Sequence, residues 1–165
     1  MGFSYVKRGG VSLDEIGQLY EMYSRDVYKF VLSMSRNGDV AEDVMQSTFL
    51  GAMKSLHTYK GQSSVKTWLI GIAKHEYYAY LKKCPSMVSL DQLGGVEWGQ
   101  QSGVNVDYIV LMDAIAELEE PDKTIVVLRL INELSFKEIG ELVGESESFC
   151  RVMFFRCKQK LRHCC

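Results

Sequence analysis

The chain has 165 residues, 47% of them apolar and 24% charged, with a formal net charge of −2. That is too apolar for an intrinsically disordered chain, and no run approaches the ~20 apolar residues a bilayer crossing needs. Met1 to Gly10 lacks the apolar stretch of a secretory signal, so the expectation is a cytoplasmic protein.

Only two prolines and several long amphipathic stretches predict an all-α chain. Leu13, Ile16, Tyr20, Tyr23, Val27, Phe30, Val31 and Met34 recur at helical spacing and predict a first helix over 13–36. Asn37-Gly38 is a stop and turn signal. Asp39, three residues before Glu42, reads as the N-cap of a second helix over 40–56. The inner stripe of that helix is Ala41, Val44, Met45, Thr48, Phe49, Ala52 and Leu56. Residues 59–64 (YKGQSS) are a polar turn around Gly61. A third helix over 66–83 ends before Cys84-Pro85.

Residues 84–106 change character, with Pro85, Gly94-Gly95, Gly99 and Gly103 among Ser, Gln and Asn. They read as a flexible linker between two small helical domains, 11–83 and 107–165. Helicity resumes near Asp107 with Leu111, Ala114, Ile115 and Leu118. Pro121 suits the first turn of the next helix. The body of that helix, TIVVLRLI, is rich in β-branched residues and is locally strand-like. Its flanks favour helix.

Ser135 and Glu138 then form a capping box opening a short helix with Ile139, Leu142 and Val143 on one face. Gly140 permits close packing, and Gly144 permits the positive φ of a tight turn. Ser146 caps a last helix with Cys150, Met153, Phe154, Cys157 and Leu161 inside. This is a helix-turn-helix, whose second helix enters a DNA major groove. A plain helical hairpin with solvated charges is the bland alternative.

Charge is unevenly spread along the chain. Residues 61–83 hold four basic side chains against Glu76, and residues 146–165 hold five against Glu147. Between them, residues 84–145 hold twelve acidic against three basic. Two basic segments separated by an acidic stretch point to two DNA contacts and offset the acidic total.

The five cysteines (Cys84, Cys150, Cys157, Cys164 and Cys165) include no CxxC pair, which argues against a zinc ribbon and a disulfide framework. Cys150, Cys157 and Cys164 recur every seven residues near one helical face. Packing residues are the favoured reading, with a redox or metal sensor as the alternative. No metal, cofactor or catalytic constellation is expected, since His57, His75 and His163 have no evident nucleophile partner.

The stretches AEDVMQSTFL (41–50) and VKTWLIGIAK (65–74), followed by LEEPDKTIVVLR (118–129) and LSFKEIGELVG (134–144), resemble the extracytoplasmic-function (ECF) group of bacterial sigma factors. Their order around a short linker is more specific than any one of them. The resemblance covers about residues 13–83 and 107–162. It implies an alternative sigma factor with no catalysis of its own. Such a factor binds core RNA polymerase, at the clamp helices of the largest subunit and at the flap, and directs it to promoter DNA. An anti-sigma factor is a further implied partner.

The resemblance also implies site residues. Asp43, Gln46, Ser47, Leu50 and Met53 would dock on the polymerase, an apolar centre with a polar surround being what an interface looks like. Tyr59, Lys60, Gly61, Gln62, Ser63, Ser64, Lys66, Lys74, His75 and Tyr78 would recognise and melt the −10 element. Trapping unstacked bases calls for aromatic surfaces beside positive charge. Trp68 is expected in the core, and Tyr77 and Tyr80 belong to the same aromatic set. Ser146, Ser148, Phe149, Arg151, Val152, Phe155, Arg156 and Lys158 would read the −35 element. Arg151 would reach either a guanine or a phosphate. The chain departs from the family pattern at Glu145, Ser148-Phe149 and Met153, which leaves its −35 sequence open. The rival is a stand-alone helix-turn-helix regulator. It has no use for the aromatic, basic segment 66–83 or for exposed apolar residues on 40–56.

Overall fold

The structure, a computed structural model, describes residues 13–85 and 106–164, so most of the expected linker lies outside the described residues. Those residues form seven α-helices and no strand: α1 (Leu13–Ser35), α2 (Gly38–Ser55), α3 (Val65–Lys83), α4 (Val106–Ala116), α5 (Asp122–Leu130), α6 (Phe136–Val143) and α7 (Glu147–Cys164). A 3₁₀ turn, Leu56–Thr58, follows α2. The fold class is all-α, as expected.

In the N-terminal half α1, α2 and α3 pack on one another. Val27, Phe30 and Val31 of α1 meet Val44 and Ala52 of α2 and Leu69, Ile70 and Ala73 of α3 in a core closed to solvent. The helical period foresees most of these. It misses Leu19 and Leu32, which are buried, and it places Tyr20 inside, where the ring is 42% exposed against Phe49.

The cap of α2 is also displaced from its expected place. Asn37, not Asp39, is the N-cap, and its side-chain oxygen accepts from the backbone N–H groups of Asp39 and Val40 at 2.9 and 3.2 Å. Arg36 takes a positive φ of 56° and turns the chain, which leaves Asn37 extended at the helix entrance. Asp39 then lies in the first turn, where a negative charge still favours the helix dipole.

In the C-terminal half α7 packs against α4, α5 and α6. Cys150, Phe154, Cys157 and Leu161 form its buried line. Helix α5 is the strand-like segment, and Ile125, Val126, Val127 and Leu128 are all fully buried. It packs against α6 and α7 and also against α1 of the other half. A helix covered on several sides has no reason to keep a polar stripe, so its sequence loses the helical period. Pro121 stands at the N-cap, one position before the expected first turn.

Candidate nucleic-acid interface

The helix-turn-helix is built as its residues dictate. Ser135 accepts from the Glu138 backbone N–H at 3.2 Å, and Glu138 accepts from the Ser135 N–H at 2.9 Å. Gly144 ends α6 at φ 76°, a conformation L side chains rarely adopt. A Cβ on Gly140 would fall 2.6 Å from the Glu145 carbonyl oxygen, so the turn folds directly onto α6. Ser146 caps α7 by accepting from the Phe149 N–H at 3.1 Å. With its buried line turned inward, α7 leaves Ser148, Phe149, Arg151, Val152, Phe155, Arg156 and Lys158 exposed, as is Ser146 before it. All eight expected −35 residues therefore face solvent. Arg151 is paired with Glu147 at 2.7 Å and lies 5.6 Å from the Phe136 ring centre.

On α2, Asp43, Gln46 and Leu50 are exposed, and Ser47 and Met53 are half-buried beside them. Leu50 is 57% exposed, an apolar side chain held in water.

The expected −10 residues are less uniformly available. In the turn, Lys60, Gly61, Gln62 and Ser64 are exposed, Tyr59 and Ser63 half-buried, and Gly61 has φ 72°. Tyr59 donates to the Ser63 carbonyl and packs against Trp68 with ring centres 4.9 Å apart. Trp68 is half-buried rather than core. Along α3, His75 is exposed, whereas Tyr77 is core. The Tyr77 hydroxyl donates to the Met34 carbonyl, and burial, helped by Tyr78 and Glu120, pushes its phenol up to about 12. Lys66 pairs with Asp26 at 3.6 Å. Tyr80 is half-buried.

The C-terminal half covers part of this face. Thr67 donates to the Glu138 carboxylate at 2.9 Å, and Ser64 does so at 3.3 Å. Lys74 donates to the Leu142 carbonyl at 2.8 Å, and the Tyr78 hydroxyl engages Thr124 and Glu120. The exchange is reciprocal. A carboxylate of α6 sits at the N-terminus of α3, and an ammonium of α3 sits on one of the last carbonyls of α6. Both placements suit the helix dipoles. Burial raises the Glu138 carboxyl, but bonds from the Ser135 backbone and the Thr67, Ser135 and Ser64 hydroxyls more than offset it and hold the group below the usual glutamate range. Between α3 and α6 lies an open cleft of about 390 Å³ lined by Ser63, Thr67, Trp68, Gly71, Ile72, His75, Glu141 and Leu142.

Further contacts join the halves. Asn132 donates to the Asp26 carbonyl, Lys123 to the Met34 carbonyl, and Arg36 pairs with Asp113. None of these cross-links was foreseen from the sequence. The bonds of Thr67, Lys74, Lys123, Asn132 and Arg36 each join residues at least 68 positions apart, and spacing carries no signal at that range. Cys150 and Cys157 are buried packing residues, and burial followed by the Asp122 charge pushes the Cys157 thiol to about 11. Cys84 is a half-buried free thiol, and Cys165 lies outside the described residues.

Two sigma-70 families match the chain, region 2 over residues 19–84 and region 4 over residues 108–161. The ECF RNA polymerase sigma factor SigM of Bacillus subtilis (strain 168) is 32% identical, over 89% of this chain and 93% of that protein. The chain belongs to the ECF group of RNA polymerase sigma factors. RNA polymerase sigma factor YlaC of the same organism is 26% identical over 90% and 91% of the two chains. Among solved structures, the sigma factor RpoE of Bartonella quintana, in complex with the anti-sigma factor NepR, superposes with a TM-score of 0.76. It is 18% identical over 92% of this chain and 97% of that one. This ECF sigma factor is thus an alternative sigma factor directing transcription. Both sigma regions in one chain disfavour the stand-alone regulator.

Proposed function

We propose that this sigma factor divides promoter recognition among three faces. Asp43, Gln46, Ser47, Leu50 and Met53 on α2 dock on core RNA polymerase at the clamp helices of its largest subunit, and the C-terminal half engages the flap. Residues 59–64 with the first turns of α3 hold unpaired bases of the −10 element. Helix α7 reads the −35 element. The observation that carries this reading is the exposure of all eight −35 residues on a helix-turn-helix whose packing line, Cys150, Phe154, Cys157 and Leu161, is turned inward. The exposed Leu50 between Asp43 and Gln46 supports the docking face.

The cleft beside Ser63, Trp68 and His75 offers an aromatic wall and hydroxyls to an unstacked base. Glu141 lines that cleft and Glu138 is bonded to Thr67 at its edge, and carboxylates repel phosphate. Helix α6 therefore moves away from α3 before −10 DNA enters. The protein acts in the cytoplasm without catalysis of its own. An anti-sigma factor holds it inactive, a partner supported by the RpoE–NepR neighbour.

The test is transcription from promoter fragments with and without core polymerase. Wild-type protein gives core-dependent run-off product. Asp43→Ala with Gln46→Ala weakens competition for core while helical content is kept. Gln62→Ala with Ser63→Ala leaves closed-complex affinity near wild type and lowers permanganate reactivity of unpaired thymines. A template already mismatched around the −10 element rescues that defect, because the unpairing cost is gone. Unchanged competition removes the α2 assignment. Normal opening, or no rescue, removes the loop assignment.

A further inference from the structure

Helix α7 is basic overall, but its outward line is not. Cys150, Phe154, Cys157 and Leu161 are its buried line. Ser148, Val152, Phe155 and Gln159 each stand two residues before one of these, roughly 200° round the helix, and so form the opposite line. Val152 is 56% exposed and Phe155 52%. Phe155 is nonetheless steadied from beneath, with its ring centre 6.5 Å from Phe136 and 5.7 Å from Phe154. The charges lie to either side, Arg151 and Lys158 on one flank and Arg156 and Lys160 on the other. Residues 148–164 contain no carboxylate. Arg151 is drawn along its flank toward Glu147 and Phe136.

A neutral, apolar centre between two cationic rows is complementary to the major groove, where base edges form the floor and phosphates the walls. On that floor the apolar feature is the C5 methyl of thymine. Valine has no hydrogen-bonding group, so from the donor and acceptor code it reads nothing, and from the methyl it reads thymine.

We propose that Val152 selects thymine in the −35 element through the C5 methyl, while Arg151 and Arg156 bind the flanking phosphates. Val152 stands in the second turn of α7, the part of a recognition helix that reaches base edges. The inference rests on the reading of α7 as the −35 element's partner and supplies the base chemistry of that contact. It replaces guanine readout by Arg151 with methyl readout by its neighbour.

The experiment uses holoenzyme and duplexes randomised over the −35 window. Bound sequences are recovered, and the preferred duplex is resynthesised with deoxyuridine replacing each thymine in turn, which removes the methyl alone. The expected result is one thymine at which uracil weakens binding about fourfold, the worth of one methyl group taken out of water. Val152→Ala binds the two duplexes alike, and Val152→Thr, which keeps one methyl group, retains part of the preference. Arg151→Ala is weaker on both duplexes with the thymine-to-uracil ratio unchanged. Val152 is exposed, so its variants keep wild-type helical content. Indifference of the wild type to uracil at every position overturns the proposal, as does a Val152→Ala protein that keeps the full ratio. A window with base preference but no thymine dependence overturns the proposal alone. A window with no base preference removes the −35 reading of α7 with it.

Discussion

Helices α3 and α7 are both basic, and both open from a serine that accepts a backbone N–H, Ser64 in one and Ser146 in the other. Their outward faces differ. Along α7 the residues opposite the core stand in water. Along α3, Lys74 and Tyr78 are engaged by α6, α5 and the residues before it, and Thr67 holds Glu138. A lysine meets phosphate only where neighbouring elements leave it bare, and the Lys74 ammonium is already bound to a carbonyl at the end of α6. Charge along a helix identifies what a face can bind, and packing decides when it does so. In this sigma factor the helix proposed to read the −35 element stands exposed, and the one proposed to hold −10 bases is partly covered by the C-terminal half.

The largest expected effect tests whether α7 is divided into an inner and an outer side. Phe154→Ala removes a buried ring that packs against Phe136 and should cost about 3–5 kcal/mol. Phe155→Ala, one residue away and half in water, should cost below about 1 kcal/mol while weakening promoter binding. Urea unfolding of the two variants beside a promoter-binding assay separates the roles. Equal stability losses would erase the distinction between the two sides of α7, and with it the contrast to α3.

A smaller effect is expected at the cover over α3. Glu138→Gln keeps the shape of the side chain but removes the charge that serves both the capping box and the α3 N-terminus. Glutamine can still fill the capping box, so the loss should be about 0.3–1 kcal/mol, the worth of a negative charge at a helix N-terminus. Its pH dependence has a definite sign. The folded carboxyl is held below the usual glutamate value. Its stabilisation is therefore complete above the unfolded value and disappears as pH falls through the folded one. The stability difference between wild type and Glu138→Gln, measured by urea titration from neutral to acid pH, should shrink toward zero on the acid side. A difference that stays constant, or grows in acid, would mean that the carboxylate does not hold the two helices together.

Much of this architecture was legible in the sequence because it is local. The Ser135–Glu138 box, the Gly144 turn, the inner line of α7 and the exposed pair Asp43 and Gln46 each follow from residues within one or two turns of each other. Local chemistry failed where two nearby groups competed for one role. Asn37 and Asp39 are both good caps, and the positive φ of Arg36, which no periodicity reveals, decided for Asn37. Tyr77, grouped in the sequence with the aromatic set of this segment, lies in the core for a different reason. An aromatic residue with a polar tip fits a core as well as a surface, and the Met34 carbonyl that receives the hydroxyl is 43 residues away. The contacts between the halves were illegible for the same reason, since pairing at such separations is a property of the fold.

The smallest expected effect concerns which of these contacts between halves hold the cover. Arg36 and Asp113 approach to 2.7 Å across the halves, yet the Asp113 side chain is 54% exposed. An ion pair in that position gains little, because water and salt screen it and two flexible side chains must be ordered to make it. Asp113→Asn should therefore change stability by about 0–1 kcal/mol. Whatever difference appears should vanish near 1 M salt, where the screening length is about 3 Å. The Lys123 contact differs in kind. Lys123 is half-buried, burial lowers its pKa, and its ammonium donates to the Met34 carbonyl at 3.2 Å. Lys123→Ala should thus cost more than Asp113→Asn and keep most of its effect in high salt, because it removes a part-buried, charge-assisted bond and leaves the Met34 carbonyl with the Tyr77 hydroxyl alone. Salt titration of both variants by urea unfolding decides the matter. If Asp113→Asn is the more damaging substitution, the halves are joined by exposed charge, and α3 would be uncovered by ionic strength alone.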